Sequence, residues 1–294
     1  MTSLLMRAVA GYVRLTAKPR FATVAGARRM LAAAKGPSQP PARLGRRHRV
    51  SRRQVNGFDC WTVAPNDRPA TRAVIYLHGG GYVNEIVSQH WALISRLARA
   101  GVRVEVPIYG LAPRHTYRDA YPLVTEVYRD LIGEVDAATV SIAGDSAGAG
   151  LALGFAQTLA GAGLPGPGRL VLISPWLDLT LSNPDLPAVE ARDPWLARAG
   201  LIEIGTVWAG GDDPEDPRLS PVNGPLAGLP PTDVYVGSRD LSLPDAELLR
   251  TRAEAEGWQL TTTVGEGAVH VYPLVPAPEG RNAADAIVKS LSAA

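Results

Sequence analysis

Gly144-Asp145-Ser146-Ala147-Gly148 is the segment of this chain best suited to nucleophilic chemistry. The apolar run 140–143 before it reads as a strand and 147–159 after it as a helix. A serine at so sharp a strand-to-helix turn is held with its hydroxyl in the open, and flanking glycines remove side chains that would clash. That hydroxyl is a weak nucleophile at neutral pH and needs a base. His270 is the best placed of five histidines: it ends the loop Gly265-Glu266-Gly267-Ala268-Val269, after the last predicted strand, 260–264. His48, His90 and His115 read as surface, capping or hydrogen-bonding residues, and His78 as a structural one.

The base needs a carboxylate to fix its tautomer and stabilise its charged form. Asp240 lies just beyond the predicted strand 234–237, at a carboxyl end, where α/β sheets place their working loops. Asp245 competes for the role, although the helical run after it suits a cap or dipole partner. An attacked carbonyl also needs hydrogen-bond donors for its developing negative charge. His78-Gly79-Gly80-Gly81, directly after the predicted strand 74–77, offers unobstructed backbone N–H groups from Gly79, Gly80 and Gly81, and Ala147 offers another at a helix start. The chemistry implied is acyl transfer, with chain order Ser146, Asp240, His270.

Positioning these residues requires alternating strands and helices. Residues 48–63 read as a hairpin turning at Asn56-Gly57. Strands follow at 74–77, 102–106, 140–143, 170–173, 234–237 and 260–264, with helices at 91–100, 121–132, 147–159, 245–256 and 283–291. Apolar strands separated by helices imply a mainly parallel sheet covered on both faces. The Pro-, Gly- and Asp-rich stretch after Ser174 breaks the rhythm, with one helical patch at 195–208, and reads as an insertion. The chain therefore divides into a leader at 1–47, core segments at 48–174 and 231–294, and the insertion at 175–230.

Composition excludes several classes. With 46% hydrophobic and 20% charged residues among 294, the chain is globular rather than disordered or fibrous. The single cysteine, Cys60, rules out an internal disulfide and a thiolate zinc cluster; it reads as a small buried hydrophobe and favours a reducing compartment, the cytoplasm. No metal or other cofactor is expected. Net charge is +2, but thirteen of the thirty basic residues and no acid fall within residues 1–58. Such a leader suits anionic lipid, nucleic acid or the acidic body of its own protein. Nucleic acid is not an expected partner, because no interleaved aromatic platform or recognised binding module accompanies the charge. In the leader, Leu4, Leu5, Ala8, Tyr12 and Leu15 share one helical face, with Arg7, Arg14 and Lys18 opposite. The apolar face is expected to pack on the domain, with weak contact at a membrane surface as the alternative.

Together these residues resemble the hormone-sensitive-lipase family of α/β hydrolases, in its bacterial carboxylesterase branch. The resemblance runs from Val74 to Pro273 and rests on His78 to Gly81, Tyr109-Gly110-Leu111-Ala112-Pro113, the serine elbow, Ser174-Pro175-Trp176-Leu177-Asp178-Leu179, Gly228-Leu229-Pro230-Pro231, and the segments around Asp240 and His270. It implies an α/β-hydrolase fold with an eight-stranded core and a cap built from the N-terminal helices and the insertion. It further implies cofactor-free hydrolysis of short to medium acyl esters, with small-molecule esters as partners and room for a homodimer. Tyr82, Trp195 and Trp208 then become candidates for the pocket wall. Lactonase and N-acyl hydrolase activity would use the same machinery. A non-catalytic receptor on this fold is disfavoured by the presence of His270. The chain departs from the family pattern at Arg114, where an acid is usual, and at Asp240-Leu241-Ser242, where Asp-Pro-Leu is common.

Overall fold

The computed structural model describes residues 2–293. Eight strands form one sheet in the order β1-β2-β4-β3-β5-β6-β7-β8. The first two, β1 (Arg49–Val55) and β2 (Phe58–Ala64), pair antiparallel. They turn at Asn56 and Gly57, both at positive φ (50° and 82°), the geometry that lets a two-residue loop match strand twist. β2 also pairs antiparallel with β4 (Val102–Pro107). From β4 onward every pairing is parallel, through β3 (Arg72–Leu77), β5 (Val140–Asp145), β6 (Arg169–Ile173), β7 (Thr232–Gly237) and β8 (Leu260–Gly265). β3, β5 and β6 are buried along nearly their whole length, as central strands covered on both faces must be. β8, at the edge, alternates toward solvent through its threonines.

Four helices precede the sheet: α1 (Leu4–Thr16), α2 (Lys18–Phe21), α3 (Val24–Ala32) and α4 (Ala42–Gly45). α5 (Ser88–Arg99), α6 (Tyr117–Glu134) and α7 (Ala147–Thr158) connect the parallel strands. The insertion carries α8 (Leu186–Glu190) and α9 (Arg198–Ala209), and α10 (Leu243–Glu256) and α11 (Pro278–Ser292) complete the chain. α7 is apolar all round and buried, packing on β3, β5 and β6. One core gathers α6, α7, α9 and α10 around Leu123, Tyr128, Phe155 and Trp208. The other gathers α1, α5 and α11 around Met6, Trp91, Ile94 and Ile287. α3 packs on α9, so the leader and the insertion meet.

The hairpin and the alternation form where the sequence places them, but the leader helix is turned the other way. α1 docks through Met6, Ala10 and Val13, while Leu4, Leu5, Tyr12 and Leu15 face outward. The physical reason is tertiary: Met6 and Ala10 join the apolar core of α5 and α11, and hydrogen bonds from Ser3 and Lys18 at its two ends fix the helix in that rotation. Cys60 is buried as expected, and burial beside Glu105 pushes its thiol up to about 12, leaving it unreactive.

Candidate active site

Ser146 stands between β5 and α7 with φ 51° and ψ −120°, a strained conformation for a side chain other than glycine. Its backbone is locked on both sides: its N–H donates to the Ile173 carbonyl (2.8 Å) and its carbonyl accepts from Trp176 N–H (3.1 Å). The elbow fits only because its neighbours lack side chains. A Cβ at Gly148 would overlap the Leu77 carbonyl, and one at Gly144 would sit 2.8 Å from the same oxygen.

His270 reaches this turn from the loop after β8. Its Nε2 lies 2.9 Å from Ser146 Oγ, and its Nδ1 lies 2.9 Å from Asp240 Oδ1. With a carboxylate at Nδ1, that nitrogen carries the hydrogen, so Nε2 is free to accept the serine proton. Burial alone would lower the His270 pKa, but the charge and hydrogen bond of Asp240, helped by Asp193 and Asp145, hold it above the ordinary value. Asp240 is fully buried; burial opposes its charge, yet His270, the Ser174 hydroxyl and the Ser242 N–H (3.0 Å) keep its carboxyl below the usual range. The His270 and Ser242 contacts both fall on Oδ1, and Oδ2 has no hydrogen bond of ordinary geometry among the described residues. Asp245 lies apart from the imidazole, accepting from Asn183 Nδ2 (2.9 Å), and burial pushes it up to about 6.

The glycine loop supplies fewer donors than its sequence offers. Gly79 N–H donates to Asp145 Oδ1 (2.9 Å), which removes it from the donors expected for a substrate oxygen. Gly80 and Gly81, at φ 123° and 61°, have N–H groups with no partner among the described residues, and so does Ala147 at the start of α7. Asp145 is thus an anchor that the sequence reading does not single out. It accepts from Tyr76 Oη (2.8 Å), Gly79 N–H and His90 Nε2 (3.1 Å), tying the glycine loop to the residue beside Ser146. Burial raises its pKa, but His90 and these hydrogen bonds prevail and lower it. His90 also accepts from Val87 N–H through Nδ1 (2.9 Å), capping α5 while holding Asp145. His78 places Nδ1 2.7 Å from the Gly79 carbonyl and stacks on Tyr109 (4.5 Å), and burial lowers it to about 4, so it is neutral.

The cleft beside Ser146 and His270 is lined by Trp176, Leu181, Leu196, Leu201, Leu241 and Asp245, among others, and its free volume is about 20 Å3. That is space for little more than one water-sized group. Tyr82 and Trp208 do not line it. They stack face to face at 4.2 Å behind it, Tyr82 donates to the Ala147 carbonyl (2.8 Å), and Trp208 is buried in the helical core. Trp195 sits instead with its ring edge-on to His270 at 5.8 Å. A larger opening, of about 490 Å3 among Arg49, Arg53, Arg103 and Glu134, holds no histidine beside its hydroxyl groups.

A second residue absent from the sequence reading is Asp193, in the insertion. Its Oδ1 accepts from the N–H groups of Trp195 (2.6 Å) and Leu196 (2.9 Å), and its Oδ2 from Leu241 N–H (2.7 Å). One buried carboxylate thereby joins a cleft wall to the loop carrying Asp240. Burial and the nearby Asp240 charge push it up to about 6. Sequence offered one signal: an aspartate before Pro194 in a loop, a residue type that commonly accepts from backbone N–H groups just ahead.

The sheet order, the strained serine between strand and helix, and the glycine loop beside it define an α/β hydrolase. Comparison with known proteins agrees: residues 74–274 match the alpha/beta hydrolase fold family, and the chain belongs to it. An acetyl-hydrolase of Streptomyces hygroscopicus is 36% identical over 225 residues, covering 74% of this chain and 75% of its own. Esterase LipU of Mycobacterium tuberculosis is 32% identical over 210 residues, covering 68% and 70%. Among solved structures, an esterase from the bacterial hormone-sensitive lipase family superposes with a TM-score of 0.83 at 28% identity, covering 99% of this chain and 98% of that one. The resemblance to the hormone-sensitive-lipase group therefore extends along the whole chain.

Proposed function

We propose that this protein is a serine carboxylesterase acting on small acyl esters through an acyl-enzyme. The observation that carries the reading is the continuous chain Asp240 Oδ1–His270–Ser146 Oγ, with both links at 2.9 Å. As Ser146 Oγ attacks the ester carbonyl carbon, its proton passes to His270 Nε2, and Asp240 stabilises the imidazolium. The carbonyl oxygen becomes an oxyanion, which the free N–H groups of Gly80, Gly81 and Ala147 are available to receive. Each donor of this kind contributes about 3 kcal/mol at the transition state. Collapse expels the alcohol, which takes the proton from His270. Water then gives its proton to the same nitrogen, attacks the acyl carbon and releases the acid, with the proton returning to Ser146.

The narrow cleft and the acetyl-hydrolase among the relatives support acetyl-sized acyl groups. The test is a series of p-nitrophenyl esters from acetate to octanoate. kcat/KM is expected to be highest for acetate or propionate and to fall steadily thereafter. A maximum at octanoate would refute the acyl-size assignment, and absence of turnover across the series, with short lactones hydrolysed instead, would refute the ester reading.

A further inference from the structure

α1 is held along one side only. Met6, Ala10 and Val13 form its seam with the body, and on the opposite side Leu4, Leu5, Ala8, Tyr12 and Leu15 make a continuous stripe over three turns. Leu4, Tyr12 and Leu15 are 75%, 67% and 80% exposed. Single apolar side chains at a surface are ordinary, whereas a contiguous stripe marks a surface that something covers. Arg7 and Arg14 lie together beyond one edge of the stripe, exposed and without an ion-pair partner among the described residues. No carboxylate occurs anywhere in residues 1–58.

We propose that this outward face of α1 docks the protein on an anionic lipid surface. Charge selects the occupant. A second copy would set one arginine-edged stripe against another, which like charges oppose, whereas anionic headgroups complement the arginines and acyl chains receive the leucines. Shape agrees. A helix already seated along its inner side cannot sink into a groove, but a planar, deformable surface covers its outer half. Tyr12, apolar in its ring and polar at its hydroxyl, suits the headgroup boundary.

The docked helix is also tied to both walls of the site. At its start, Thr2 Oγ1 donates to the Glu266 carbonyl (3.3 Å) in the loop leading to His270, and Ser3 N–H and Oγ donate to Glu279 (2.5 and 2.8 Å). Just past its end, Lys18 Nζ donates to the carbonyls of Glu190 (3.0 Å), Asp193 (2.8 Å) and Leu196 (2.6 Å), the segment that carries Trp195 against His270. Resting on the esterase reading, this places the source of ester in or on a bilayer.

Co-sedimentation of the full chain with phosphatidylcholine vesicles, with and without phosphatidylglycerol, tests the docking. Wild type is expected to sediment with the phosphatidylglycerol vesicles and to be released by salt. L4S/L15S is expected to partition at least about tenfold more weakly while keeping its circular dichroism. R7E/R14E is expected to lose the preference for anionic lipid. S146A is expected to bind as wild type does, so failure of the chemistry and failure of docking are separable. The proposal is overturned if wild type stays in the supernatant with both vesicles, if L4S/L15S binds as well as wild type, or if wild type is a dimer that L4S/L15S separates without any lipid binding.

Discussion

Replacing Asp240 by asparagine tests how the carboxylate works, because the two oxygens of Asp240 have unequal duties. Oδ1 accepts from both His270 Nδ1 and Ser242 N–H, and Oδ2 has no hydrogen bond of ordinary geometry among the described residues. An asparagine can therefore keep its carbonyl oxygen at the Oδ1 position, where His270 and Ser242 donate, and turn its NH2 to the Oδ2 side. The imidazole then retains its hydrogen on Nδ1, and the variant loses charge rather than tautomer. Opposite charges about 4 Å apart at an effective dielectric of about 20 attract by about 4 kcal/mol. Asp240→Asn should accordingly lower kcat by about a thousandfold, less than the roughly 10⁴-fold loss expected when the amide forces the wrong tautomer. Because the Asp240 charge raises the His270 pKa, the acid limb of kcat/KM should also move to lower pH. Steady-state kinetics on p-nitrophenyl acetate gives the loss, and nitrogen NMR of labelled histidine gives the tautomer. A loss under tenfold would remove Asp240 from its role. A 10⁴-fold loss with the hydrogen found on Nε2 would refute the oxygen assignment.

Other outcomes follow from the same contacts. Asp245 is buried with its pKa raised to about 6 from 3.8, so its ionisation works against the fold increasingly as pH rises from about 4 through 6. Asp245→Asn should stabilise the protein at pH 8 by up to about 3 kcal/mol, with the gain shrinking toward pH 5 in urea titrations, and should lower turnover far less than Asp240→Asn. An advantage that grows toward acid would contradict the burial argument. Asp193→Asn puts an NH2 where Leu241 N–H needs an acceptor, and removes a negative charge that raises the His270 pKa. It should lower kcat and move the acid limb of kcat/KM to lower pH; an unmoved limb would show that Asp193 serves only the cleft wall.

Local features were the legible ones. The elbow around Ser146 and the turn at Asn56-Gly57 each depend on a few consecutive residues whose backbone demands show in their side chains. His270 and Asp240 were legible because each follows a short strand, and the alternation of elements brings strand ends to one edge of the sheet. Hydrogen bonds between distant segments left no such trace. Nothing next to Gly79 announces that Asp145 takes its N–H, and nothing around Asp193 shows that Leu241 is its partner. The leader shows the limit of periodicity: the wheel found two faces of α1, but which face docks depends on the surface built by α11 and the loop before His270. The family resemblance points Tyr82 and Trp208 toward the pocket, whereas in the structure the two rings stack on each other.

The central claim is that Ser146 is the attacking group and His270 the base that activates it. Labelling with a fluorophosphonate, followed by intact mass and peptide mapping, tests it most directly. A single adduct on the peptide containing Ser146 is predicted, lost in S146A and slowed severely in H270A. An adduct on another serine, or undiminished labelling in H270A, would contradict it.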